Sequence, residues 1–470
     1  VHFFVFLQRI MNVRNQEEQD LKISFDAFKE QVLSDYKIAV TSRECSVLGR
    51  REVFSGKGKF GIFGDGKEVP QLAMNHFFKN GDFRSGYYRD QTLLMAQGLL
   101  SVSNIFSALY ADLDLDREPM SGGRQMGGHF MTPSRDESGE WLNLMELKNH
   151  SGDISPTGSQ MPRLLGLAQA SKIYRNHKTK NADNFSDNGN EIAWGTIGNA
   201  STSEGMFFEA INAAGVLQVP MVISVWDDGY GISVPKKYQT ARESISQGLA
   251  GMAYGSEPGG AGDGGVSIAE SKAELPGGGI VIFKVRAWDY PALLLTYERA
   301  VNICRERHVP VLVHVEECTQ PQGHSTSGSH ERYKTEERLA WAQEFDCIRQ
   351  LGRFLEMEGA ATEKELEAIR VEAKQWVRSE QKAAWKAVRT VLDGERDTAV
   401  ELLRQVSGCE AQSSALEAIT DPIRKDVHVA VRQALHETAE QPSEQRTALL
   451  RWLEVQEKRC GGLFGGGLHA

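Results

Sequence analysis

Two short polar segments carry the strongest chemical potential in this sequence. The first, Gly198-Asn199-Ala200-Ser201-Thr202-Ser203-Glu204-Gly205, follows an apolar run and opens a helical pattern. Small residues let a backbone approach an anion, and a helix N-terminus offers free N–H groups and partial positive charge. The second, Trp226-Asp227-Asp228-Gly229-Tyr230-Gly231, ends the next apolar run and places Asp228 29 positions beyond Asn199. In a parallel sheet both strand ends point to one edge, where α/β proteins bind their ligands. Asn199 and Asp228 can therefore converge on one ion. A carboxylate, an amide and a backbone carbonyl suit Mg²⁺, with a ligand's phosphates completing the octahedron. Alone, the first turn is equally a plain strand-to-helix connection; the second segment gives it weight.

Two other glycine turns weigh less. Gly61-Ile62-Phe63-Gly64-Asp65-Gly66-Lys67 has the spacing GxxxxGK, but Glu68 follows where a P-loop needs Ser or Thr for Mg²⁺. A carboxylate there would repel phosphates, so the segment reads as a turn before a helix starting near Glu68. Gly262-Asp263-Gly264 lies in a Gly/Pro-rich stretch with no strand feeding it, and reads as a surface loop.

The elements that must position these residues follow from patterning. Apolar runs at 191–198, 219–226, 280–285 and 309–316 alternate with helical patterns at 203–216 and 292–307. That alternation predicts an α/β fold with a parallel sheet. From about residue 331 the chain is rich in Ala, Glu, Leu, Arg and Gln and predicts amphipathic helices, broken near Gly394, Gly408, Pro422 and Pro442. No second series of alternating strands follows. The expected organisation is an extension or disordered start over 1–20, an α/β domain over 21–330, a helical tail or linker over 331–460, and a Gly-rich disordered end over 461–470.

Composition narrows the function classes. The 470 residues carry 53 Lys+Arg against 63 Asp+Glu, a formal charge of −10. No basic excess supports a general nucleic-acid binder. The apolar start, Val1 to Leu7, is shorter than the roughly 18 residues of a spanning helix and lacks the marks of a signal peptide. Six cysteines without a CxxC pair read as reduced thiols of a cytoplasmic protein. Neither nucleic acid nor membrane is expected as a partner.

Further motifs join the two segments: Tyr88-Arg89-Asp90, Gly123-Arg124-Gln125-Met126 with His129, Ser155-Pro156-Thr157-Gly158-Ser159-Gln160-Met161-Pro162, and Gly323-His324-Ser325-Thr326-Ser327. In order and spacing this set resembles the alpha subunit of the thiamine-diphosphate-dependent first component of 2-oxo acid dehydrogenase complexes. The resemblance runs from about residue 21 to 353. It is closest to the branched-chain type, and to bacterial chains that fuse alpha and beta subunits.

The resemblance implies a transketolase-like, diphosphate-binding α/β fold. It makes Tyr88, Arg89, Ser155, Thr157, Asp228, His324 and the Gly198-Asn199-Ala200-Ser201 turn contacts to thiamine diphosphate. Asn199, Asp228 and the Tyr230 carbonyl become the Mg²⁺ ligands, with Ser159 and Gln160 at a structural monovalent-cation site. His324 takes the family's catalytic place near the thiazolium, and His129 is a second active-site histidine; His150, His177 and His314 are left structural. Ser325 and Ser327 fall in a loop that relatives phosphorylate, and here read as loop hydrogen-bonding groups.

Two departures stand out: acid and amide have exchanged places at Asn199 and Asp228, and Gln320 replaces an arginine. The exchange keeps the formal charge, so magnesium is still expected. The implied reaction is oxidative decarboxylation of a 2-oxo acid such as 2-oxoisovalerate, with acyl transfer to a lipoyl acyltransferase. It requires a beta subunit in an α₂β₂ assembly. A pyruvate or acetoin dehydrogenase and a degenerate, non-catalytic assembly subunit are the alternatives.

Overall fold

A computed structural model describes residues 25–177, 182–254 and 278–465 of the chain. The Gly262-Asp263-Gly264 turn, residues 1–20 and the last five residues lie outside them. One compact unit ends at Ile105, resumes at Met126 and runs to Val377; the other takes Phe106–Gln125 and the chain from Arg378 onward.

The first unit is built on a six-stranded sheet. Its strands are β1 (Phe83–Ser85), β2 (Asn149–His150), β3 (Ala193–Gly198), β4 (Met221–Trp226), β7 (Val281–Arg286) and β8 (Val311–Glu316), in the order β2-β1-β3-β4-β8-β7. Every neighbouring pair is parallel. A two-stranded antiparallel ribbon, β5 (Tyr230–Gly231) with β6 (Val234–Pro235), follows β4.

Strands β3 and β4 are apolar on both faces because helices cover both. Ala193 and Ile197 of β3, with Met221, Ile223 and Val225 of β4, pack against Leu164, Phe207 and Ile211 of two helices on one side. Trp194 and Ser224 point the other way, toward Tyr297; the Ser224 and Tyr297 hydroxyls lie 2.8 Å apart. Side chains alternate between faces because the strand period is two.

The helices used below are α1 (Phe25–Phe54), α2 (Glu68–Asn75), α3 (Gln160–Asn176), α4 (Gly205–Leu217), α5 (Tyr290–Arg307) and α6 (Glu336–Glu344). Their ends have local causes. Asp289 caps α5 by accepting from the Ala292 N–H at 3.1 Å, and α5 stops where His308 turns left-handed at φ 56°.

The four long strands and both intervening helices match the expected elements within about two residues, an ordinary boundary scatter. Strands β1 and β2 were not expected. In the C-terminal region the expected break near Gly394 is absent, since α7 (Glu363–Gln405) runs through it. One glycine costs a helix only about 1 kcal/mol, and strong helix formers surround it. The breaks at Gly408, Pro422 and Pro442 do separate α7, α8 (Glu410–Glu417), α9 (Arg424–Glu437) and α10 (Glu444–Cys460). Those helices share an apolar core that includes Leu403, Val431 and Leu449. Gly461–Gly465 continue α10 as a π-helical turn. No helix among the described residues is long and apolar enough to cross a membrane.

Candidate functional site

Five adjacent strands, β2, β1, β3, β4 and β8, run parallel and end on one edge of the sheet, and the segments leaving them carry most of the predicted site residues. The Tyr88-Arg89-Asp90 turn follows β1. It is anchored from below by Asp90, whose carboxylate holds the buried Arg84 at 2.8 Å, accepts from Thr196 and lies 3.4 Å from the Trp226 indole nitrogen. Arg84 also pairs with Asp153 at 3.0 Å.

With that anchor fixed, Arg89 crosses to the segment after β8. One guanidinium nitrogen donates to the Phe63 carbonyl; the other donates to the His324 carbonyl at 2.8 Å and to His324 Nδ1 at 3.1 Å. A guanidinium only donates, so Nδ1 accepts and the His324 proton sits on Nε2. Burial, reinforced by the Arg89 charge, pulls His324 down to a pKa of about 4. His324 is therefore a neutral imidazole presenting an N–H.

His129 is placed differently. Its Nδ1 lies 2.8 Å from the Met126 carbonyl and so donates, leaving Nε2 to accept from the Ser155 hydroxyl at 3.0 Å. The Tyr88 ring lies between the two histidine environments, 6.4 Å from the His129 ring and 5.4 Å from the Arg89 guanidinium carbon.

The Gly198–Ser201 turn is drawn to its neighbours. Thr157 hydrogen-bonds Ser201, tying the Ser155–Thr157 segment to this turn. A Cβ on Gly198 would sit 3.6 Å from the Tyr87 hydroxyl, and one on Gly231 would sit 2.7 Å from the Ala200 methyl. The β5 ribbon carrying Tyr230 therefore rests on the turn. Residues Ala200–Ser203 form a 3₁₀ turn, and α4 starts only at Gly205 with Glu204 at its N-cap position. The expected helix N-terminus is thus displaced from Asn199. Asn199 itself is buried, and its amide nitrogen has no hydrogen-bond partner among the described residues. A buried N–H donor without an acceptor is costly and fits an anion's oxygen.

Asp228 meets a neighbour that sequence reading set aside. Lys67, in the Gly-Asp-Gly-Lys turn before α2, reaches Asp228 Oδ2 at 3.1 Å, while Asp228 Oδ1 accepts from the Tyr230 N–H at 3.1 Å. Burial pushes Asp228 up, but Lys67, Lys334 and Arg89 outweigh it and hold its carboxyl below the usual range. Asn199, the residue proposed with Asp228 and Tyr230 as a magnesium set, is tied to the end of β4 by its backbone N–H on the Trp226 carbonyl at 3.2 Å. Each Asp228 oxygen keeps a free lone pair, but with the Lys67 ammonium on Oδ2 and further cations around it a divalent cation would meet like charge here, so this set as arranged does not fit one. The surrounding charge fits an anion. Glu68, feared as a repulsive group, turns away to Arg43 at 2.7 Å.

The other acid of the pair, Asp227, serves the scaffold. It accepts from Lys236 at 3.0 Å and lies 3.0 Å from His314 Nε2, and it caps the Gly229 turn. Burial opposes its charge, yet His314 and Lys236 keep its carboxyl low. Gln160 is fully buried with neither amide atom partnered among the described residues, and Ser159 precedes it at the start of α3. His150 stacks on Phe78 at 5.5 Å, away from these segments. The Ser325 and Ser327 hydroxyls bond each other at 2.8 Å, and Arg50 holds the Ser325 carbonyl at 2.9 Å.

Sequence reading missed Lys67, Lys334 and Arg338, which donates to the Asp228 carbonyl at 3.0 Å. The signal for Lys67 was its glycine turn, discounted for lacking a P-loop hydroxyl.

A parallel sheet whose strand ends gather cations, a neutral histidine and an unpaired amide is an α/β arrangement whose charge suits an anion. Comparison with known proteins names the class. The family described as Dehydrogenase E1 component matches residues 46–255 and 265–390, and the chain belongs to that family. It is similar to the 2-oxoisovalerate dehydrogenase subunit alpha of Bacillus subtilis (strain 168), 30% identical over 198 residues, covering 42% of this chain and 51% of the relative. The mitochondrial 2-oxoisovalerate dehydrogenase subunit alpha of Dictyostelium discoideum is 25% identical over 350 residues, 74% of this chain and 65% of that protein. The pyruvate dehydrogenase E1 component subunit alpha of Acholeplasma laidlawii is 26% identical over 231 residues, 48% and 54% of the two chains. The chain thus spans about half to two thirds of the length of these relatives.

Proposed function

We propose that this chain is the alpha part of a 2-oxo acid dehydrogenase that binds thiamine diphosphate at the edge formed by β1, β3, β4 and β8. The observation that carries this reading is the Arg89–His324 contact. It brings the turn after β1 to the loop after β8, within electrostatic reach of Asp228 and Lys67. The coenzyme supplies an ylide nucleophile and an electron sink for loss of CO₂.

This chain's residues contribute binding and positioning. Arg89, with Tyr88, Ser155, Thr157 and the Gly198–Ser201 turn, orients the diphosphate arm; a guanidinium fork suits phosphate oxygens. His324, neutral and donating through Nε2, stabilises negative charge that develops on the substrate oxygen. His129, with Nε2 held by Ser155, is a second donor–acceptor station near the substrate end. The buried, unpartnered Gln160 amide beside Ser159 suits a structural monovalent cation.

The substrate is a branched 2-oxo acid such as 2-oxoisovalerate, and the acyl product passes to a lipoyl acyltransferase. A beta subunit completes the site in an α₂β₂ assembly. Six unpaired cysteines suit a reducing, cytoplasmic setting. The test is decarboxylation assayed with the beta subunit present, comparing 2-oxoisovalerate with pyruvate, since relatives carry both names. Turnover of 2-oxoisovalerate with kcat/KM at least about tenfold above pyruvate supports the branched-chain reading; a pyruvate preference replaces it, and no turnover of either leaves a non-catalytic subunit.

A further inference from the structure

We infer that Lys67 supplies, as a built-in ammonium, the positive charge that a divalent cation would bring to the coenzyme's diphosphate, so that this chain holds the diphosphate without a bound metal. The inference rests on the coenzyme reading above and adds its electrostatic means.

Lys67 is 1% exposed, and its ammonium donates to Asp228 Oδ2 at 3.1 Å, to the Thr319 carbonyl at 2.8 Å and to Gln320 Oε1. Three N–H donors meet three fixed oxygens, the kind of oxygen-rich set a hard cation takes. The turn is shaped to deliver it. Gly66 holds φ 85°, and a Cβ there would lie 2.1 Å from the Thr319 carbonyl oxygen, so backbone and backbone touch where Lys67 enters. Gln320 fits because it is neutral and accepts; a cationic side chain at that position would repel the ammonium.

The wider balance points the same way. Lys67, Arg89, Lys334 and Arg338 face Asp228 and Asp65, four cations against two carboxylates. Asp65 is itself engaged, accepting from the Gln322 N–H at 3.0 Å. The surplus is positive, and the buried Asn199 amide adds an N–H donor that still lacks an acceptor. A divalent ion bonded to Asp228 would need to displace Lys67 into an interior that already carries this surplus. An anion with several oxygens meets the same surroundings favourably.

The experiment is calorimetric titration of thiamine diphosphate into the full chain, purified with its bound subunits, in EDTA and again in Mg²⁺. The inference expects dissociation constants within about threefold of each other, and no protein-bound Mn²⁺ signal by electron paramagnetic resonance when Mn²⁺ replaces Mg²⁺. Lys67→Met, checked for folding by circular dichroism, is expected to weaken binding in EDTA by about tenfold or more. A tenfold loss of wild-type binding in EDTA, or stoichiometric bound Mn²⁺, overturns the inference and leaves the coenzyme reading intact. No binding in either buffer overturns the coenzyme reading itself, and the inference with it.

Discussion

Arg89 and His324 form a two-point contact in which one guanidinium nitrogen binds both the histidine's carbonyl and its Nδ1. This fixes ring, tautomer and charge together. Burial is the larger cause of the depressed His324 pKa and the Arg89 charge the next. Arg89→Met is therefore expected to raise the His324 pKa from about 4 part of the way toward its ordinary value, and to free Nδ1. An NMR titration of the imidazole reads this directly. An unmoved His324 would show that Arg89 has no electrostatic hold on it.

A second expectation concerns catalysis. With its proton on Nε2 and a pKa of about 4, His324 does not titrate near neutrality. His324→Gln should lower kcat by about 10²–10⁴ while the wild-type rate shows no His324 inflection between pH 6 and 8. Coenzyme affinity, measured by calorimetry, should change far less than kcat. A matching loss of affinity would assign His324 to binding instead.

His308 makes stability pH-dependent in a known direction. It is 6% exposed, lies 2.7 Å from the Gly189 carbonyl through Nε2, and is pulled down to about 4 chiefly by burial. The unfolded chain takes up a proton below about pH 6.5, and the folded chain resists until about 4. Its contribution is thus complete above pH 6.5 and lost as pH falls toward 4, up to about 3 kcal/mol. Denaturant unfolding at pH 7.5 and 5 should show the decline, and His308→Asn, which tolerates the left-handed backbone, should flatten it. An equal slope in the variant refutes the assignment.

Legibility in the sequence falls with distance along the chain. Strands β3, β4, β7 and β8 were legible because each is a six-residue, mostly apolar run with a turn at its end, β-branched-rich in all but β3. Strands β1 and β2 were not: three and two residues show no period, and Arg84 places a charge inside the sheet. The Tyr88-Arg89 and Gly323-His324 motifs were legible as motifs. Their direct contact was not, since it depends on β1 and β8 ending on the same edge. Lys67 was missed because its three acceptors belong to the segments after β4 and β8, far along the chain.

Beneath the site, Arg84 is fully buried between Asp90 and Asp153, each within 3.0 Å. Burial raises Asp153 to about 6 even though Arg84 opposes it. Arg84→Met would leave two buried carboxylates without their cation. The expected cost is about 3–5 kcal/mol, read as a lowered denaturation midpoint. A loss below about 1 kcal/mol would mean the carboxylates are neutral or solvated in the native state.

The last expectation separates backbone strain from site geometry by comparing two glycines. Gly56 and Gly66 have nearly the same backbone angle, φ 84° and 85°. Either alanine substitution pays the left-handed cost of about 1–2 kcal/mol. They differ in surroundings: nothing lies within 4 Å of a Cβ at Gly56, whereas at Gly66 the Thr319 carbonyl oxygen would be 2.1 Å away. Gly66→Ala must push the Gly-Asp-Gly-Lys turn off the segment after β8 and draw Lys67 from Thr319, Gln320 and Asp228. It should therefore destabilise more than Gly56→Ala and also weaken thiamine diphosphate binding by about tenfold or more, while Gly56→Ala leaves affinity unchanged. Melting temperatures and calorimetry on the two variants give both readouts, and equal affinities would mean that the turn's contact with Thr319 has no bearing on the coenzyme.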